Sequence, residues 1–208
     1  MSAAVEVLRS RFGHQEFRGL QEDVIQQTLD GGHSLVLMPT GMGKSVCFQI
    51  PALLTDGLTL VISPLIALMK DQVDALVSQG VDATYINSSL TRDERLARYE
   101  KLRKGDYNLL YVTPERFRKG DFLEALDTRR VDLLAVDEAH CISEWGHDFR
   151  PDYTRLAEIR KAVGNPVTQA LTATATPAVQ KDIARQLGLE GELRLFHGGV
   201  ERPNLRCT

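Results

Sequence analysis

Residues 38–45 read Met38-Pro39-Thr40-Gly41-Met42-Gly43-Lys44-Ser45. They follow a short apolar segment, Ser34–Met38, and lead into a helical pattern, Ser45–Leu54. A glycine-rich turn between a strand and a helix is the setting of a phosphate-binding loop, in which converging N–H groups and the helix N-terminus hold a polyphosphate. We therefore expect Lys44 at the β and γ phosphates and Ser45 at Mg²⁺, with the preceding residues forming the cradle. The alternative is a glycine turn followed by an exposed lysine.

The segments around this loop alternate between two patterns. Short apolar, β-branched segments have the character of buried strands, namely Ser34–Met38, Leu58–Ile62, Ala83–Ile86, Leu109–Val112, Leu133–Val136, Val167–Leu171 and Leu193–Phe196. Amphipathic segments of helical length lie between them, namely Leu20–Leu29, Ser45–Leu54, Leu65–Ser78, Arg92–Lys104, Phe122–Leu126, Tyr153–Ala162 and Ala178–Leu187. The alternation predicts one three-layer α/β/α domain with a mostly parallel central sheet, whose ligands gather beyond the carboxyl ends of the strands.

Composition narrows the class of protein. The 208 residues are 43% hydrophobic, 25% charged and 6% aromatic, as in one globular domain. No apolar run approaches the roughly 20 residues of a membrane span, and Met1–Phe12 lacks a signal peptide's apolar block. Cys47, Cys141 and Cys207 fit neither a disulfide framework nor a zinc site, so we expect a reducing compartment. A net charge of -3 means that any nucleic-acid contact must be local.

A pair of carboxylates follows the apolar segment Leu133–Val136 in the run Asp137-Glu138-Ala139-His140. This arrangement matches a Walker B site, in which Asp137 holds Mg²⁺ and Glu138 orients the water that attacks the γ phosphate. A solvated acidic pair at a strand end is the alternative, and the phosphate loop upstream argues against it. Thr172 and Thr174 follow another predicted strand, where a plain turn before Pro177 is the alternative to a functional role.

From about Leu8 to Asn204 these motifs, in their order and spacing, resemble the RecQ family of ATP-dependent DNA helicases, which belongs to superfamily 2. Phe12–Gln21 resembles the family's motif 0, which implies that Gln21 contacts the adenine edge and Arg18 lies near the base or phosphates. His14 stands where the family usually has tyrosine, and Met42 where it usually has glycine. An imidazole offers less stacking surface than a phenol ring, so base affinity is expected to differ.

The resemblance also implies a path for nucleic acid. Ser63–Gln72 resembles motif Ia, including Ser63 and Lys70, and Thr113–Arg116 resembles motif Ib, with Thr113 and Arg116 on the same path. Helix-start N–H groups and hydroxyls can bind phosphates there without a high positive charge. A strand-to-helix turn with routine capping is the alternative for each motif. Thr172 and Thr174 resemble motif III, which links the nucleotide state to lobe movement.

Residues 140–153, here called the aromatic loop, resemble the most distinctive segment of RecQ enzymes and contain the chain's only tryptophan. Trp145, His147, Phe149 and Arg150 are expected to contact unpaired bases and phosphates, since aromatic rings stack on bases of any sequence. The resemblance implies that His140 couples the nucleotide to the nucleic acid, and an ordinary capping or core histidine is the alternative. We expect these aromatic residues, Tyr153 included, to lie outside the core, although a hydrophobic cluster that pins a long loop is the alternative.

Taken as a RecQ-type lobe, the chain is expected to divide into a motif 0 region (1–30), a core (31–198) and the start of a junction (199–208) toward a second RecA-like lobe. Glu201-Arg202-Pro203-Asn204 resembles that junction. The resemblance implies binding of ATP, Mg²⁺ and single-stranded or partly duplex DNA, with 3′-to-5′ translocation and unwinding in DNA repair and recombination. The lobe alone is expected to hydrolyse ATP poorly. The protein is expected in the cytoplasm or, in a eukaryote, in the nucleus. Alternatives are an RNA helicase or other superfamily 2 translocase, and a non-catalytic nucleotide-binding docking module.

Overall fold

A parallel sheet of seven strands runs through the part of the chain that the computed structural model describes, residues 2–146 and 148–198. The strands are β1 (His33–Leu37), β2 (Leu58–Ile62), β3 (Ala83–Ile86), β4 (Leu109–Val112), β5 (Val131–Val136), β6 (Val167–Thr172) and β7 (Leu193–His197). Their spatial order is β3-β4-β2-β5-β6-β1-β7, and all neighbouring pairs are parallel. The predicted α/β fold with its mostly parallel sheet is confirmed.

The described residues form eight α-helices, of which α1 and α2 precede β1 and the others lie between strands. They are α1 (Ala3–Phe12), α2 (Gln21–Leu29), α3 (Val46–Ala52), α4 (Ile66–Ser78), α5 (Arg92–Lys104), α6 (Gly120–Asp127), α7 (Leu156–Ala162) and α8 (Pro177–Leu187). Short 3₁₀ turns span Pro114–Arg118, Ala139–Ile142 and Pro151–Arg155. The helix predicted from residue 153 therefore begins as a 3₁₀ turn, and α7 proper starts at Leu156. The sequence pattern also missed α1, which buries only Ala4 and Leu8 and so carries a short apolar signal.

Each face of the sheet has its own core, because alternate residues of a strand point to opposite faces. In β2, Leu60 and Ile62 pack on one face while Val61 packs on the other. The first face is covered by α5, α6, α7 and α8, and the second by α2, α3 and α4. Both faces of the strands other than the edge strand β7 are thus largely buried, which explains their mostly apolar sequences.

Helix ends are fixed by local capping chemistry. Thr91 and Glu94 form a capping box at the start of α5, and Gly105 ends that helix with a φ of 86°. Thr176 caps α8, whose first residue is Pro177. Among the described residues, none of the helices combines the length and apolar character that crossing a membrane requires.

Candidate active site

The polar motifs meet at one edge of the sheet, beyond the carboxyl ends of the strands. β5, β6 and β1 are neighbours, so the segments that follow them place Asp137, Thr172 and the phosphate loop side by side. The segments after β2, β4 and β3 continue the same edge with Ser63, Thr113 and residues 87–89. A parallel α/β sheet binds its ligands at this edge.

Gln21 forms hydrogen bonds to the main chain of the phosphate loop. Its buried side-chain amide donates to the main-chain carbonyls of Met42 and Gly43 at 3.2 and 3.1 Å, and its Oε1 accepts from the Arg18 N–H at 2.8 Å. Gly43 has a φ of 73°, and a Cβ added there would lie 2.5 Å from Gln21 Nε2. The structure therefore brings motif 0 to the phosphate loop and gives Gln21 a loop-positioning role that the sequence did not indicate.

The phosphate loop turns at its two glycines, Gly41 and Gly43, which both have a positive φ. Gly41 has a φ of 85°, in the left-handed region that favours glycine. Lys44 Nζ donates to the Met38 carbonyl at 3.0 Å, which holds the ammonium group beside the loop. The Met42 side chain is 41% exposed and so does not crowd the cradle. His14 is exposed, which leaves its ring accessible to a ligand.

Asp137 and Glu138 are held in an electrostatically unfavourable arrangement. Burial, and next the Glu138 carboxylate, raise the pKa of Asp137 to about 6, although the Glu138 N–H and Lys44 act in the opposite direction. Asp137 Oδ1 accepts from the Glu138 N–H at 3.0 Å. Glu138 has a φ of 49°, an uncommon conformation for a residue other than glycine that is found preferentially at functional sites.

The donor set fits a magnesium ion. Mg²⁺ prefers oxygen ligands and is usually held by one or two carboxylates together with substrate phosphates. The Asp137 carboxylate and the Ser45 hydroxyl are such ligands. A divalent cation would also relieve the repulsion that raises the pKa of Asp137.

His140 forms a buried polar link between the carboxylates and β6. Its Nδ1 lies 2.9 Å from Thr172 Oγ1 and 3.3 Å from Glu138 Oε2. The Thr172 hydroxyl donates its only proton to the Thr174 carbonyl at 3.1 Å, so His140 Nδ1 must be the donor toward Thr172. The link thus runs from Glu138 to the main chain at Thr174, whose own side chain is exposed.

The aromatic loop is anchored at both ends and exposed in the middle. Arg150 donates to the Pro64 carbonyl at 3.3 Å and contacts the Asp148 carboxylate at 3.2 Å. Trp145 is 78% exposed and Phe149 is half-buried. Tyr153 differs from the expectation: it is fully buried in the core, because the 3₁₀ turn that starts at Pro151 directs it inward. His147 lies outside the described residues.

His140, Cys141 and Asp148 have ligand atoms within 4.8 Å of one another, a spacing that a metal ion could bridge. Arg150 already contacts the Asp148 carboxylate, and the Cys141 thiol lies 3.7 Å from it. Burial and the Asp148 charge raise the pKa of Cys141 to about 12, which keeps the thiol protonated. We interpret this cluster as an anchor of the aromatic loop and assign no metal to it.

Residues on the predicted nucleic-acid path differ in their accessibility. Ser63 and Thr113 lie at the sheet edge but are buried. The Ser63 hydroxyl accepts from the Leu65 N–H, and the Thr113 hydroxyl donates to the Glu115 carboxylate. Lys70 is exposed and forms an ion pair with Asp74. Arg116 differs from the expectation, since it is only 7% exposed and donates to the Tyr99 hydroxyl at 2.9 Å.

The sequence interpretation also missed Asn87-Ser88-Ser89, which follows β3 at the same edge. Asn87 Oδ1 accepts from the Ser89 N–H at 3.0 Å, and both serines are exposed. Three consecutive polar residues after a strand are the signal that could have found this segment.

Comparison with known proteins identifies helicases, in agreement with the phosphate loop and carboxylate pair of this site. The sequence model of the family described as DEAD/DEAH box helicase matches residues 18–183. The chain is 50% identical to the "ATP-dependent DNA helicase RecQ" of Haemophilus influenzae, over 99% of this chain and 33% of that protein. It is 47% identical to the Bacillus subtilis protein of the same name, over 97% of this chain and 34% of that protein. The predicted resemblance to RecQ helicases is confirmed, and the chain spans about a third of the length of these curated relatives.

Solved structures share the fold at low sequence identity. A hypothetical ATP-dependent RNA helicase from Sulfolobus tokodaii has a TM-score of 0.73 and 19% identity, over 95% of this chain and 57% of that one. The DUF1998 helicase MrfA bound to DNA has a TM-score of 0.72 and 16% identity, over 95% of this chain and 30% of that one. Since the family match extends over most of the sequence and includes the phosphate loop and both carboxylates, the chain belongs to the DEAD/DEAH box helicase family.

Proposed function

We propose that this chain is the ATP-binding motor lobe of a RecQ-type DNA helicase. Together with a second lobe it would hydrolyse ATP and use the energy to move 3′ to 5′ along single-stranded DNA and unwind duplexes. The observation that carries the proposal is the buried link Glu138–His140–Thr172, which joins the carboxylate pair to the strand end beside the phosphate loop. In this proposal the link is the path by which nucleotide chemistry is coupled to movement. The names of the RecQ relatives support the choice of DNA.

Each group of the site has a role in this reaction. The main chain at Gly41 and Gly43, with Lys44, would hold the β and γ phosphates, while Asp137 and Ser45 would hold Mg²⁺. Bound Mg²⁺ would neutralise charge on the phosphate oxygens. Glu138 would orient the attacking water, and its contact with His140 would make that orientation depend on the position of β6 and the aromatic loop. A cation from the second lobe would stabilise the transferring phosphoryl group.

Nucleotide binding and hydrolysis test the proposal separately. Calorimetric titration with ATP and Mg²⁺ should show binding by the wild type and its loss in Lys44→Ala, whereas Lys161→Ala, which removes an exposed lysine on α7, should bind normally. Turnover should be slow and should respond little to single-stranded DNA while the second lobe is absent. Equal ATP binding by Lys44→Ala and the wild type, or robust DNA-stimulated turnover by the 208-residue chain, would contradict the proposal.

A further inference from the structure

Trp145 borders a small cavity whose other side is formed by α8. The cavity has a volume of about 250 Å³, slightly below the roughly 300 Å³ at which pockets for drug-sized ligands begin. Its lining consists of Trp145, Ala178, Lys181, Asp182, Arg185 and Glu190. This site lies outside the nucleotide cradle and is of a size for a single base.

The chemistry of the lining favours an unpaired nucleotide. The exposed indole of Trp145 offers a face for stacking, and Ala178 contributes only a small side chain to the lining. Lys181 and Arg185 add two cations to the rim. The Arg185 guanidinium pairs with the Asp182 carboxylate, which is 6% exposed, so the arginine is held in place. Glu190 is the exposed acidic group on the rim and opposes an anionic ligand.

We propose that α8 forms the second half of a subsite for single-stranded DNA, in which one base stacks on Trp145 inside this cavity and an adjacent phosphate contacts Lys181 and Arg185. This inference rests on the proposed function, because it takes DNA as the nucleic acid. It also gives the bound strand a second connection to the active site. The aromatic loop leads back to Glu138, and α8 starts at the Thr176 cap, close to Thr172 in the chain.

Trp145 is the chain's only tryptophan, so its fluorescence reports on this subsite directly. The test is titration of the chain with a labelled oligo(dT), following both Trp145 emission and the anisotropy of the label at several salt concentrations. Two variants at exposed positions act on the α8 side. Lys181→Ala removes a cation, and Ala178→Glu fills the cavity with a negative charge while remaining compatible with the first turn of a helix.

Matched controls separate a local effect from a general one. Ala3→Glu makes the same change in the first turn of α1, and Lys161→Ala removes an exposed lysine from α7. We expect Ala178→Glu to weaken binding about 5- to 150-fold, the range for loss of one stacked base. Lys181→Ala should lower the salt dependence, the slope of log K against log salt concentration, by about 0.7. Glu190→Gln should strengthen binding, and the controls should match the wild type.

The outcomes distinguish this inference from the function on which it rests. If the wild type binds oligo(dT) but Ala178→Glu and Lys181→Ala bind it with unchanged affinity and salt dependence, the α8 half of the subsite is refuted while DNA binding stands. Equal weakening by the controls would also refute it. If the wild type does not bind oligo(dT) at all, the DNA-binding part of the proposed function fails as well.

Discussion

Replacing Thr172 with valine should reveal how much the buried link to His140 contributes to stability. The change keeps the shape of the side chain but removes the hydroxyl, which accepts from His140 at 2.9 Å and donates to the Thr174 carbonyl at 3.1 Å. Each buried hydrogen bond contributes about 0.5 to 1.5 kcal/mol, so the loss should be about 1 to 3 kcal/mol. For a domain of this size that corresponds to a fall in Tm of about 2 to 12 °C.

Thr59 in β2 provides a matched control. It is fully buried like Thr172, but its hydroxyl has no hydrogen-bond partner within the described structure. Thr59→Val should therefore leave the free energy of unfolding unchanged or increase it, because it removes a polar group that is buried without compensation. Thr172→Ser, which retains a hydroxyl, should recover most of the stability lost in Thr172→Val.

Urea unfolding followed by circular dichroism measures these differences, provided that the m value stays constant among the variants. The decisive quantity is the difference between the two threonine-to-valine substitutions. If Thr172→Val and Thr59→Val shift the unfolding midpoint in the same direction and by the same amount, the link between His140 and Thr172 does not stabilise the lobe, and the reasoning that assigns it a stabilising role is wrong.

Two further predictions follow from local geometry. Gly43→Ala should weaken ATP binding, because it strains the loop at a φ of 73° and its Cβ, 2.5 Å from Gln21 Nε2, would push that amide off the loop carbonyls. Gly188→Ala, at a φ of 65° and with its nearest neighbouring atom 4.0 Å away, should be strained but bind ATP normally in the same titration. Acid should destabilise the fold through His33, because burial and the nearby Arg160 guanidinium lower its pKa from 6.5 while Glu192 only partly opposes them. The unfolded chain then takes up the proton first, so stability is fully present above about pH 6.5 and decreases below it. The raised pKa of Asp137 acts in the opposite direction over this range, so the test is the difference between variants. On going from pH 8 to pH 5.5, Tm should change less unfavourably in His33→Asn, whose Oδ1 can still accept the Thr168 N–H bond that His33 Nδ1 accepts at 3.0 Å, than in the wild type. The same change in Tm for both proteins would show that His33 contributes nothing to the acid sensitivity.

Strands were the most predictable part of this fold. Because both faces of the sheet are buried away from the edge strand β7, most strands are short apolar runs between polar turns, and β2, β3 and β4 have the predicted bounds. The sequence pattern missed helix α1 because that helix buries few apolar side chains. It took the 3₁₀ turn at Pro151–Arg155 as part of an α-helix, because over so few residues the two kinds of helix have similar apolar spacing.

Within the site, main-chain geometry was predictable but side-chain direction was not. The order glycine, lysine and serine between a predicted strand and a predicted helix indicates a phosphate loop, because glycines there let main-chain N–H groups converge on a phosphate. The direction of Arg116, by contrast, depends on the Tyr99 hydroxyl, which lies on a helix 17 residues earlier in the chain. The direction of the Gln21 side chain likewise depends on its hydrogen bonds to two carbonyls of the phosphate loop. Contacts of this kind belong to the tertiary structure, and no local pattern encodes them.

Two unfavourable features of the described structure lie where the motifs meet. Asp137 has a pKa raised to about 6 by burial and a neighbouring carboxylate, and Glu138 adopts a φ of 49°. Neither feature helps the lobe to fold, and both would be relieved or used when a magnesium-bound polyphosphate arrives. The buried threonine at position 59 lies in β2, away from these motifs, and has no comparable explanation. Local strain that a specific ligand would relieve is therefore a stronger argument for function at this edge than the motif letters alone, because the letters would also fit a lobe that had lost its chemistry.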